Sequence, residues 1–294
     1  MTEAHDDQPA QLAHTDIVAG GATPERWIWL LHGIFGRGRN WASIARRLTE
    51  ARPEWGAVLV DLREHGESLG FTEPHTLEAA AADLRKLAER LGRPPAAVLG
   101  HSFGGKVALA YGSSDPDGLE QIWVIDSTPA ARPPSGSAWE MIERIREMPD
   151  TFPSRKDFAA RLREHGYAQG VGSWMAMNLE RHGDDFRWSI DFAAMEDLLR
   201  DFFRSDRWAE LEDPAGPQIH LVRALESSVL DDGAAARART AGERNGRVHL
   251  HELAGGHWLN IDNPEGILEL LVEGLPRAIP RGKDGRPPAR GSRR

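Results

Sequence analysis

The chain contains no cysteine. That absence excludes disulfides, thiolate metal ligands and a cysteine nucleophile, and it leaves the redox compartment open, because a protein without thiols is indifferent to it. No run approaches 18 uncharged apolar residues, which argues against a membrane span. The opening stretch, MTEAHDDQPAQLAHTDIVAGG, carries acids and no apolar core of the kind a secretory signal needs, so a cytoplasmic location is the default expectation. No metal-binding spacing such as H-E-x-x-H occurs. No G-x-G-x-x-G follows a strand pattern, and Gly104-Gly105-Lys106 lacks the upstream glycine of a phosphate-binding loop. Neither a metal nor a cofactor is expected.

What is present suits one large α/β domain with an insertion. Of 294 residues, 40% are apolar and 28% charged, the ordinary range for a globular chain. The net charge of −9 is unevenly spread. Residues 277–294 are rich in Pro, Gly and Arg and strongly basic, so the body is more acidic than the total suggests. An acidic body makes nucleic-acid affinity unexpected, and the tail reads as disordered.

Short apolar runs alternate with helical patterns, the mark of βαβ units and a mainly parallel sheet. Strands are expected at Arg26–Leu31, Gly56–Val60, Ala96–Gly100, Gln121–Asp126, Ile219–Val222 and Val248–Leu253. The strongest helix runs from an N-cap at Thr76 to a stop at Gly92. Between Pro133 and Pro214 no strand is evident, only helical segments with tryptophans at 139, 174, 188 and 208. The expected organisation is an α/β core at 1–132 and 215–276, a helical lid at 133–214, and the basic tail at 277–294. An insertion at the carboxyl end of a sheet strand overhangs the crevice where such folds bind ligands.

Gly100-His101-Ser102-Phe103-Gly104 is G-x-S-x-G between an apolar strand and a helix, the context a nucleophile elbow requires. Gly100 and Gly104 supply the small neighbours that so tight a turn demands. A serine hydroxyl needs a base. Among twelve histidines, His257 lies in LAGGHWLNIDNPE, after the last strand and before the final helix, where this chain order puts it. The base in turn needs a carboxylate to hold its tautomer. The residues alone leave Asp126, Glu226, Asp231 and Asp232 open for that role.

LHGIFG, DLREHGES, GHSFGG and GGHW, in this order and spacing, resemble the small carboxylesterases of the α/β-hydrolase superfamily, and among them the YbfF-like bacterial esterases. The likeness runs from about Trp27 to Leu275. It implies Ser102 as nucleophile, His257 as base, and the backbone N–H groups of Ile34 and Phe103 as oxyanion hole. It also implies Asp126 as the acid, closing what that family counts as its sixth strand, with Ser227 joining the site and the lid inserted after that strand. The loop at Asp61, Arg63, Glu64, His65 and Gly66 is expected to buttress the nucleophile turn. The activity implied is cleavage of a small-molecule carboxylic ester or thioester through an acyl-enzyme. Carbon–carbon bond hydrolysis, perhydrolysis and a non-catalytic binding role are the alternatives. Acyl length and leaving group depend on how the insertion packs, and no pattern fixes an oligomeric state.

Overall fold

The computed structural model describes residues 10–277 apart from 115 and 168, so the expected disorder of the tail lies outside the described residues beyond Arg277. The main sheet takes five strands before the insertion: β1 (His14–Ile17), β2 (Arg26–Leu31), β3 (Trp55–Val60), β4 (Ala97–His101) and β5 (Gln121–Ile125). The insertion contributes β6 (Thr151–Phe152), β7 (Leu179–His182) and β8 (Asp185–Trp188), and the main sheet is completed by β9 (Gln218–Ala224) and β10 (Val248–Leu253). The order is β1-β3-β2-β4-β5-β9-β10. All pairings are parallel except β1 on β3, a strand for which its polar sequence gives no signal.

Helices cover both faces. α1 (Ala42–Ala51) precedes β3, α2 (Leu77–Leu91) precedes β4, and α3 (Phe103–Gly112) follows it. Residue alternation along each strand divides the core between the faces. In β2, Trp29 and Leu31 pack with α2 and α3, while Ile28 and Leu30 pack with α1 and the C-terminal helix. Strands β3, β4 and β5 are buried throughout, which is why they read as unbroken apolar runs rather than alternating ones. Each fully buried Leu or Ile contributes about 1.5–3 kcal/mol. α2 starts as expected, with the Thr76 hydroxyl accepting from Ala79 N–H, and it stops at Gly92 in the left-handed conformation (φ 61°).

The insertion holds α4 (Ser137–Arg146), α5 (Arg155–Glu164), α6 (Gln169–Met175), α7 (Phe192–Arg204) and α8 (Trp208–Glu212). It follows β5, the fifth described strand of the chain. It is not all helical: β6, β8 and β7 form a small antiparallel sheet. The β7–β8 hairpin turns on Gly183-Asp184, with Gly183 at φ 64°. Two to four polar-rich residues per strand carry too little periodicity to announce a sheet. The aromatic side chains of Phe152, Phe158, Trp188 and Phe192 meet edge to face inside the insertion, with centroids 4.9–6.0 Å apart. Its apolar interior is continuous with the α2 and α3 side of the sheet.

The roots of the insertion are tied to each other and to α3. Arg132 N–H donates to Phe203 O, and Arg207 N–H to Pro129 O. Lys106, fully buried on α3, donates through Nζ to Ala130 O (2.9 Å), Phe202 O (2.7 Å) and Ser205 O (2.7 Å). Burial pushes its pKa down to about 7. After β9 come α9 (Asp232–Asn245), then, beyond β10, α10 (Leu259–Asp262) and α11 (Pro264–Gly274). Among the described residues no helix is long and apolar enough to cross a membrane.

Candidate active site

Ser102 sits between β4 and α3 at φ 51°, ψ −116°, a conformation that L-residues reach only under constraint. The flanking glycines are needed for space. A Cβ on Gly100 would lie 2.0 Å from Gly104 O, and one on Gly104 would lie 2.5 Å from His32 O. The elbow is also tied to the sheet, with Ser102 N–H donating to Ile125 O at 2.9 Å.

Three loops at the carboxyl edge of the sheet bring the expected trio together. Ser102 Oγ lies 3.1 Å from His257 Nε2. His257 Nδ1–H donates to Asp126 Oδ2 at 2.7 Å, and Asp126 Oδ1 accepts from Ala224 N–H at 3.2 Å. Asp126 is fully buried and has positive φ (41°), bent out of the end of β5 toward the histidine. The other carboxylates serve elsewhere. Glu226 is exposed, Asp231 caps α9 by accepting from Ala234 N–H, and Asp232 pairs with Arg223. The Ser227 hydroxyl accepts from Val229 N–H within its own loop.

Ile34 follows β2 and Phe103 follows the serine itself, and no acceptor among the described residues takes either N–H. Phe103 opens α3, so its N–H has no partner within the helix and adds to the positive end of the helix dipole. Ile34 lies in the loop after β2. His32 fixes the start of that loop, with Nδ1–H donating to Gly33 O (2.7 Å) and Nε2 accepting from Leu62 N–H (3.0 Å). The insertion holds the far side: Asn178, 1% exposed, donates Nδ2–H to Phe35 O at 2.9 Å. Asp61 buttresses the same region, accepting from Gly38 N–H and Glu67 N–H.

Three histidines beneath the site are neutral because burial lowers their pKa: His32 to about 4, His65 and His101 to about 3. His101 stands beside the nucleophile and donates Nε2–H to the backbone carbonyl of His257 at 2.7 Å. Sequence alone singled out neither His101 nor Asn178 for these contacts, since each partner lies more than a hundred residues away.

Above Ser102 opens a cavity of about 330 Å³. The core contributes Trp41, Trp258 and Ile261, and the insertion contributes Met141, Tyr167, Val171 and Trp174. No Asp, Glu, Lys or Arg lines it among the described residues. Trp188, by contrast, is absent from the lining and belongs to the aromatic cluster of the insertion.

A profile described as "Alpha/beta hydrolase family" matches residues 30–270. The mouse protein named sn-1-specific diacylglycerol lipase ABHD11 is 25% identical over 283 residues, spanning 93% of this chain and 88% of its own. Lipase LipV of Mycobacterium tuberculosis is 28% identical over 225 residues, 71% of this chain and 77% of its own. Among solved structures, a marine microorganism esterase superposes with a TM-score of 0.76 at 21% identity, covering 90% of this chain and 99% of that one.

Proposed function

Because the chain belongs to the alpha/beta hydrolase family, we propose that it is a serine hydrolase of the carboxylesterase type, cleaving an uncharged small-molecule ester through an acyl-enzyme. The observation that carries this reading is the unbroken hydrogen-bonded line from Ser102 Oγ through His257 to a fully buried Asp126. His257 Nε2 takes the hydroxyl proton as Oγ attacks the carbonyl carbon, and Asp126 stabilises the imidazolium without accepting its proton. The Ile34 and Phe103 N–H groups stabilise the developing oxyanion. Collapse of the tetrahedral intermediate expels the leaving alcohol or thiol, which receives the proton from His257. A water deprotonated by the same histidine then attacks the acyl-enzyme, giving the acid and returning the proton to Ser102.

The uncharged, aromatic lining of the cavity favours an apolar acyl group, and desolvating an ionised substrate there would have no compensating partner. The insertion acts as a lid whose α4 and α6 side chains set the acyl end. Within the family, a carboxylate after β5 supports the YbfF-like grouping that the motifs suggested. The test is covalent labelling by a fluorophosphonate, with mapping of the adduct and turnover of p-nitrophenyl esters of graded chain length. Labelling at Ser102 is expected, and Ser102→Ala should lower kcat by about 10⁶. A folded protein that neither labels nor turns over any ester returns the chain to the non-catalytic members of its fold.

A further inference from the structure

The base of the site rides on a loop that its own sequence does not hold. Ala254-Gly255-Gly256 precede His257, and Gly255 is at φ 129°, in a region open chiefly to glycine. Four hydrogen bonds restrain the backbone of this loop. Glu226 N–H donates to Gly255 O at 3.0 Å, Gly256 N–H donates to Asp262 Oδ2 at 3.0 Å, Asn263 Nδ2–H donates to Ala254 O at 2.9 Å, and His101 Nε2–H donates to His257 O at 2.7 Å. The first three tie the loop to its neighbours after β9, in α10 and at the start of α11. The fourth alone comes from the nucleophile's own turn.

His101 is 6% exposed, and its ring centroid lies 4.7 Å from that of His257. Its other face packs on the oxyanion loop, where a Cβ added to Gly33 would fall 3.0 Å from His101 Nδ1. One buried ring therefore touches three segments that the proposed chemistry uses: the elbow it belongs to, the oxyanion loop and the histidine loop. A carbonyl oxygen only accepts, so the proton of the ring must sit on Nε2.

We propose that His101 is a positioning residue, whose Nε2–H bond to the backbone of His257 sets the distance between the base and Ser102 Oγ. The proposal rests on the serine-hydrolase reading. Because burial keeps the ring neutral, it places no second cation beside the imidazolium that forms on His257.

The experiment compares His101→Phe, His101→Asn and His101→Gln in the full chain. Phe keeps a ring and removes the donor, Asn keeps an amide that stops short, and Gln carries an N–H to about the reach of Nε2. With a short p-nitrophenyl ester, Phe and Asn should lower kcat by about 10²-fold, the scale of a small misplacement of reacting groups. KM should stay within about twofold, and the rate of fluorophosphonate labelling at Ser102 should fall by the same factor as kcat. Gln should recover kcat to within about fivefold of wild type. Melting temperatures report on folding separately, and should Phe fail to fold, the Asn–Gln comparison decides. Equal losses in Asn and Gln, a change in KM alone, or unchanged kcat in a folded Phe or Asn variant would each overturn the proposal. In those cases the wild type still labels and turns over, whereas an unreactive wild type overturns the hydrolase reading beneath it.

Discussion

At the scale of single residues, the acid is where sequence and structure contributed unequally. G-x-S-x-G and the glycine-led position of His257 mark the proposed nucleophile and base by local context, which a sequence displays. A carboxylate has no local signature, so the residues alone left four open; the resemblance pointed to Asp126, which lies 2.7 Å from His257 Nδ1. Asp126→Asn should preserve the fold and present an amide where the imidazole needs an acceptor. The expected loss is about 10⁴ in kcat, by analogy with the same change in a serine protease. Glu226→Gln, Asp231→Asn, Asp232→Asn and Ser227→Ala should each stay within about threefold of wild type. Steady-state kinetics on one ester separates these outcomes, and a collapse in Glu226→Gln with Asp126→Asn unaffected would move the acid to the loop after β9. His101 and Asn178 escaped the sequence for a different reason. Each acts on a backbone carbonyl, and a carbonyl has no identity in a sequence.

At the scale of elements, the α/β rhythm was legible because its strands are buried on both faces and its helices are capped by residues such as Thr76 and Gly92. The strands of the insertion were not, because β6, β7 and β8 are held by one another and by an aromatic cluster rather than by a repeating pattern. That cluster separates two tryptophans that look alike in the sequence. Trp174 lines the cavity, so Trp174→Ala should shift kcat/KM toward longer acyl chains across a p-nitrophenyl ester series with a small change in melting temperature. Trp188 packs among Phe152, Phe158 and Phe192, so Trp188→Ala should cost about 3 kcal/mol of stability, read by urea unfolding, while leaving chain-length preference in place. The reverse pattern would exchange their roles. Lys106→Met tests the root of the same element. It leaves three carbonyls without their donor, the buried Phe202 O most subject to the cost of about 1–3 kcal/mol, and a melting temperature equal to wild type would remove Lys106 from the account.

At the scale of the whole molecule, buried neutral histidines make the fold acid-sensitive. His32, His65, His101 and His220 are at most 8% exposed, and burial holds each far below the ordinary value of 6.5. Unfolding lets them take up protons near pH 6.5, whereas the folded chain resists to about pH 4 or 3. The stability they contribute is complete above pH 6.5 and declines as pH falls from there, at up to about 1.4 kcal/mol per pH unit for each histidine. Urea midpoints should therefore drop steadily between pH 7 and 5, and a flat profile would contradict the buried neutral states. The spacing of the site along the chain bears on biosynthesis as well. The serine and the carboxylate belong to the first half of the polypeptide, but the base follows the carboxylate by 131 residues, behind the last strand of the sheet. On the serine-hydrolase proposal, the nucleophile elbow leaves the ribosome well before the histidine that would activate it, so a nascent chain should not react with a fluorophosphonate until the segment carrying His257 has been made.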